Sequence, residues 1–302
     1  MQAILYYLSL PFIYLFSSLP LSVLYGFSDY LVFPLMYHLT GYRRKVVREN
    51  LVNSFPEKTT EEIKAIEVKF YHYLSDLFIE IFKGFTISKD QIRKRISFEK
   101  NDIFQKWYDE NKDCVMSAGH YSNHEWVCMT MPLYMPHQIK VPYRAFSNTY
   151  MEGLFNRARS IFGAHMFPTH NTYREIMQKH TQPFIVCLAN DQSAQPDKAY
   201  WTRFLNQDTS FFVGTEKIAK RFNMPVFFTK IKQVKRGYYH VSFELISENP
   251  AEEPEGALME KHAKILEDEI KAAPEFWLWS HRRWKHKMPE GVGYGFNIAK
   301  KD

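Results

Sequence analysis

The sequence predicts an α/β protein with a central mixed, largely parallel sheet flanked by helices, preceded by an N-terminal hydrophobic membrane helix. Three observations predict this class. Four short buried-type runs, at residues 114–117, 139–143, 184–188 and 225–228, alternate with helical stretches, which implies βαβ units and parallel pairing in the sheet centre. Residues 3–25 carry no charge. The 302 residues are 45% hydrophobic and 24% charged, enough for a packed core and unlike a disordered or collagenous chain.

Taken in order, the N-terminal apolar character continues past Asp29 to Gly41, long enough to cross hydrocarbon. Pro11, Pro20 and Pro34 interrupt it, and proline kinks a helix, so a bent or half-inserted arrangement stays open. No Lys or Arg precedes the run and no small-residue cleavage pattern closes it, so it reads as retained rather than as a signal peptide. Arg43, Arg44, Lys45 and Arg48 follow, cations that favour the cytoplasmic side and acidic headgroups. A buried hydrophobic hairpin in a soluble protein is the competing reading. Residues 1–42 are expected to form the anchor and 43–302 one domain.

Residues 43–85 read as helical, because Val46, Leu51, Ile63, Ile66, Phe70, Tyr73 and Leu77 recur at three-to-four spacing, with a break at Phe55-Pro56. Thr59 or Thr60 is placed to cap the second of these helices. Further helices are expected near residues 124–131, 151–162, 172–180 and 215–222. Residues 234–246, broken at Arg236-Gly237, read as an antiparallel hairpin. Cys114, Cys128 and Cys187 are odd in number and sit in apolar surroundings, which suits reduced thiols.

Aromatic residues reach 17%, and 39 Lys+Arg against 33 Asp+Glu leave a formal charge of +6. Both features suit lipid or an anionic partner. The chemistry concentrates in Ala118-Gly119-His120-Tyr121-Ser122-Asn123-His124-Glu125-Trp126, directly after a predicted strand, where open α/β sheets gather their ligands. On one continuous helix, His120 and Glu125 would stand about 140° apart. With His120 in the strand-to-helix turn and Glu125 in the first helical turn, the carboxylate can reach back to the imidazole and form a general base with its orienting acid. Ser122-x-x-Glu125 is equally a capping box. His120 and His124 suit zinc only on one helix with a third ligand, and the usual His-Glu-x-x-His order is absent.

The block from His120 to Glu125 resembles the His-x4-Asp/Glu motif of glycerolipid acyltransferases. Tyr143-Arg144, Arg157-Ala158-Arg159, Asn190-Asp191-Gln192, residues 211–215 and the closing stretch 273–285 resemble, in order, the lipid A late acyltransferase branch, also called lauroyl/myristoyl acyltransferases. The similarity runs from about residue 40 to 285. It implies a glycerolipid acyltransferase-like fold at the cytoplasmic face of the inner membrane. It implies transfer of an acyl chain from a thioester, usually on acyl carrier protein, to a hydroxyl of a membrane glycolipid, without metal or organic cofactor. His120 would remove the hydroxyl proton and Glu125 would fix its tautomer. Arg144, Arg157, Arg159, Asp191, Gln192, Arg282 and Arg283 would bind substrate, the last two within an interfacial patch meeting anionic lipid; Arg144, a backbone N–H or the turn after a strand would donate to the oxyanion.

Two other functions compete. The same dyad can acylate a lysophospholipid or aminolipid, which product analysis would reveal. A non-catalytic lipid- or nucleic-acid-binding protein would keep its function in His120→Ala, although no nucleic-acid fold signature appears and no such partner is expected.

Overall fold

The computed structural model describes residues 2–99 and 102–298. It opens with helices α1 (Gln2–Ser18) and α2 (Leu21–Phe27), continued by two wide helical turns at Ser28–Val32 and Leu35–Leu39. Among the described residues no single helix is long and apolar enough to cross a membrane. The arms Ala3–Ser18 and Leu21–Leu39 meet the length only together, bent by 113°. The expected membrane helix is therefore broken, and the break falls at Pro20, which has no N–H to continue the helical ladder. Ile4, Leu5, Leu8, Phe12 and Leu15 of α1 stay exposed, whereas Leu21 and Leu24 of α2 are buried.

Helices α3 (Arg44–Ser54) and α4 (Thr60–Lys83) follow. Thr59 caps α4 in a full capping box with Glu62, as the sequence suggested. Of the cations expected at headgroups, Arg44 and Arg48 both grip the buried Glu67 of α4, at 3.1 and 2.7 Å, and Arg43 donates to the Ser280 carbonyl. Lys45 projects into solvent, where its one ion-pair partner among the described residues is Glu49 at 3.9 Å.

Then come α5 (Lys89–Arg93), β1 (Ile96–Phe98), α6 (Asp102–Asp109), β2 (Cys114–Ala118), α7 (His124–Thr130), β3 (Gln138–Tyr143) and α8 (Thr149–Arg159). The chain continues through β4 (His165–Pro168), α9 (Thr172–Met177), β5 (Phe184–Ala189), β6 (Lys198–Phe204), β7 (Gln207–Phe212) and α10 (Gly214–Phe222). Strands β8 (Val226–Lys235) and β9 (Tyr238–Ser247), α11 (Ala257–Ala272) and β10 (Gly295–Ile298) complete it.

Seven strands form the central sheet in the order β1-β9-β8-β2-β5-β3-β4. All neighbours pair in parallel except β8 and β9, so the sheet is mixed and mostly parallel, as expected. The expected hairpin is longer than its sequence signal, because the run at 225–228 continues into it as one strand. Alternate residues of the central strands enter opposite cores: Val115, Val186 and Phe228 on one face, Cys114, Met116, Ile185, Cys187 and Phe227 on the other. Helices cover both faces, which is why these strands are apolar throughout rather than alternating. A second sheet, β10-β6-β7, was not foreseen. It docks on α11, with Tyr200 Oη donating to Glu260 at 2.7 Å and the Leu205 N–H to Glu267 at 3.0 Å.

Candidate active site

Strand register builds the centre of the site. β2 and β5 run parallel with Ala118 opposite Ala189. Two residues beyond each, past the carboxyl ends of the strands, His120 and Asp191 therefore arrive side by side. His120 Nδ1 lies 2.6 Å from Asp191 Oδ1, and the His120 backbone N–H donates to Oδ2 at 2.8 Å. The indole of Trp277 donates to the same Oδ2 at 2.8 Å. Asp191 is thus enclosed, with 1% of its side chain accessible, while His120 keeps 21% and can be reached.

The charges follow from this packing. Burial opposes an imidazolium at His120, but the Asp191 carboxylate outweighs it and holds the histidine above its ordinary value. Burial likewise opposes the Asp191 anion, and His120 with the Trp277 donor outweighs that, holding the carboxyl far below the usual range. With Nδ1–H directed at Asp191, Nε2 carries the lone pair, and the Gln192 side-chain amide lies 3.1 Å from it.

Glu125 sits in the first turn of α7, as expected, but its carboxylate is held by Arg159 of α8 rather than by His120, with Nε to Oε2 at 2.7 Å and Nη2 to Oε1 at 2.5 Å. A guanidinium offers two parallel charged donors, which a neutral imidazole cannot match. Burial would raise Glu125; Arg159 keeps it low. Glu125 acts on His120 through its charge, favouring the imidazolium. The expected Ser122 capping box does not form. Asn123 is the N-cap, accepting the Trp126 N–H at 2.9 Å, and Ser122 takes a left-handed φ of 52° in the turn before it. His124 packs edge-on to His120 with ring centroids 5.1 Å apart, and burial lowers it to about 4. Among the described residues no three His, Cys, Asp or Glu side chains are grouped to hold a metal.

The other expected binding residues divide. Arg144, Arg157 and Arg282 are exposed. Arg159 is occupied by Glu125. Asp191 and Gln192 both face His120 instead of open solvent. Arg283 departs most from the interfacial patch: its guanidinium is buried over the Phe211 ring, 4.7 Å from the centroid, and burial lowers it to about 10. The chain folds back there because Ser193 Oγ donates to the carbonyls of Arg282 and Arg283, both at 2.7 Å.

The contact between Asp191 and His120 had no local signal, since it joins two loops through the sheet. Trp277 belongs to the closing stretch already noted, yet its bond to Asp191 follows only from the fold. Gly119 is required by the same packing: a Cβ there would lie 2.5 Å from Leu266 Cδ1 of α11.

The pattern of the bacterial lipid A biosynthesis acyltransferases matches residues 1–286. A lipid A biosynthesis palmitoleoyltransferase of Escherichia coli (strain K12) is 24% identical over 246 residues, covering 80% of this chain and 79% of that protein. A lipid A biosynthesis acyltransferase of Shigella flexneri matches with the same identity and coverage. The chain belongs to the bacterial lipid A biosynthesis acyltransferase family, and it is an acyltransferase enzyme.

Proposed function

We propose that this acyltransferase moves a fatty acyl chain from an acyl thioester, carried by acyl carrier protein, to a hydroxyl of a lipid A precursor at the cytoplasmic face of the inner membrane. The observation that carries the reading is the accessible His120 held by the enclosed Asp191. Asp191 fixes the tautomer with the Nδ1 proton, so Nε2 is the base. The lipid hydroxyl takes the place of the Gln192 amide at Nε2, gives up its proton there, and its oxygen attacks the thioester carbonyl. The tetrahedral intermediate collapses, the C–S bond breaks, and the imidazolium returns the proton to the leaving thiolate.

Glu125 is the second member of the catalytic pair in this reading, a fixed anion that supports the imidazolium from across the turn while Arg159 holds it in place. The exposed Arg144, Arg157 and Arg282 are suited to phosphates of the lipid or of the carrier's phosphopantetheine, where guanidinium pairs bidentately. The exposed apolar face of α1 supports attachment to the membrane.

Radiolabelled acyl transfer from acyl carrier protein to total membrane lipid, with chelator present, tests this. Label should appear in a lipid A precursor with the wild-type protein and vanish with His120→Ala. Label confined to a lysophospholipid or aminolipid would overturn the acceptor; unchanged transfer by His120→Ala would overturn the base.

A further inference from the structure

Tyr73, Asp76, Glu80 and Lys83 recur along α4 at three- and four-residue intervals, which puts them on one side of the helix. All four are buried. A buried polar stripe is costly unless each group is partnered, and here each one is. Tyr73 Oη donates to the Ser122 carbonyl at 2.7 Å. Asp76 accepts from Ser28 Oγ at 2.6 Å and pairs with Arg236, which also grips Asp29. Lys83 Nζ donates to the carbonyls of Ser17 and Leu19, each at 2.9 Å.

Glu80 stands where the two sets of partners meet. Its Oε1 accepts from Tyr25 Oη at 2.6 Å, and Oε2 accepts from Tyr239 Oη at 2.6 Å and Asn123 Nδ2 at 2.5 Å. Its backbone carbonyl accepts from the Trp126 indole at 2.8 Å. One carboxylate thus joins the N-terminal segment, through Tyr25, to the cap of α7, through Asn123. His120 and Glu125 flank that cap.

We propose that Glu80 is a positioning residue for the catalytic turn and that the docked N-terminal segment completes it, so that acyl transfer is fast only when Tyr25 is seated on Glu80. This inference rests on reading the turn at residues 119–126 as the site of transfer. Without the tyrosine, Oε1 is left buried and unpaired, and the carboxyl either rotates away from Asn123 or takes up a proton. Burial already pushes Glu80 up to about 7, with the three side-chain donors holding it down, so losing one favours the neutral acid. A proton taken up at the vacated Oε1 neutralises the carboxyl, and Oε2 becomes a weaker acceptor for the Asn123 amide. Activity is thereby tied to the segment whose exposed apolar face meets lipid.

The test uses the full chain on anionic phospholipid vesicles, with Tyr25→Phe, Glu80→Gln and the double variant. Transfer kinetics from acyl carrier protein to lipid A precursor are read beside amide hydrogen exchange of residues 119–127. Tyr25→Phe should lower kcat roughly tenfold, leave both KM values within about twofold, and speed exchange in the turn. Glu80→Gln should do at least as much, and the double variant no more than Glu80→Gln, because the hydroxyl works through the carboxylate. If Glu80→Gln fails to fold, Tyr25→Phe decides the question by itself. Wild-type kcat and exchange in Tyr25→Phe, or effects that multiply in the double variant, overturn the inference. A wild-type protein that transfers no acyl group overturns the functional reading instead, and the exchange measurement then decides the role of Glu80.

Discussion

Asp191 meets His120 twice, once at the imidazole and once at the backbone N–H, although the two stand 71 residues apart in the chain. Such a grip fixes both the ring and the turn that carries it. Asp191→Asn keeps the shape but removes the charge and allows the wrong tautomer. We expect kcat to fall by roughly 10²–10⁴-fold. The acid limb of the kcat/KM profile should also move to lower pH, since the carboxylate is what holds His120 up. A profile unmoved by the substitution would remove Asp191 from the mechanism.

Glu125 and Arg159 make a two-point ion pair in which each side chain keeps 22% accessibility. Arg159→Met leaves the carboxylate partly buried without its partner. The expected cost is about 1–3 kcal/mol in urea unfolding, reduced from the fully buried case by the remaining contact with water. Added to Glu125→Gln the cost should shrink, because the neutral amide no longer needs the cation. Equal costs in both backgrounds would deny the coupling.

The pH dependence of stability has opposing contributions. Burial lowers His124, His262 and His281 to about 4, so the unfolded chain binds their protons first as pH falls below about 6.5. Burial raises Glu80 to about 7 and Glu269 to about 8, so the folded chain holds those protons until pH rises through these values. His120, also raised, adds stability that is complete below about 6.5 and is lost as pH rises through its folded value. Between about 4.5 and 6.5 three histidines act against two carboxyls, and the slope is shallow. Below that, Asp191 and Glu125 join the histidines and stability falls steeply. Urea midpoints measured from pH 4 to 9 should therefore peak near 6.5, with the steeper flank on the acid side.

Gly119 has α11 against it, and a methyl there would lie 2.5 and 3.0 Å from the two Leu266 Cδ atoms and 3.4 Å from Asp191 Oδ2. Gly119→Ala should cost about 1–3 kcal/mol as the turn and helix part. It should also lower kcat, since the displaced residue is the neighbour of His120. Leu266→Ala in the same chain removes the clash, so part of the lost kcat should return even though the core loses packing. A double variant slower than Gly119→Ala would contradict this.

Much of the scaffold was legible because local chemistry decided it. Thr59 with Glu62 fixed the start of α4, and the apolar runs of β2, β3 and β5 mark strands covered on both faces. The prolines of the hydrophobic N-terminus left a bent helix open, and Pro20 marks the break, but no residue pattern there gives its 113° angle. The second sheet was missed because β6 and β7 mix polar residues such as Lys198, Arg203, Gln207 and Asp208 with aromatics, and neither strand gives an apolar run. At the site, spacing singled out His120 and Glu125 together, yet Arg159 competes for the carboxylate and Asp191 takes the imidazole. Both outcomes depend on which strands and helices become neighbours, and a motif within nine residues carries no such information. Arg283 looked like a surface cation for the same reason, since sequence shows its charge but not the loop that folds it inward.

The indole of Trp277 closes the far side of Asp191, and an isolated bridge pairs Trp277 with Tyr121 beside His120. During translation the strands bearing His120 and Asp191 leave the ribosome well before that tryptophan does. A nascent chain can therefore assemble the sheet and bring the pair together while Asp191 still lacks its third donor. The enclosure of Asp191 is therefore completed only when the C-terminal stretch has been made, however early the sheet itself forms.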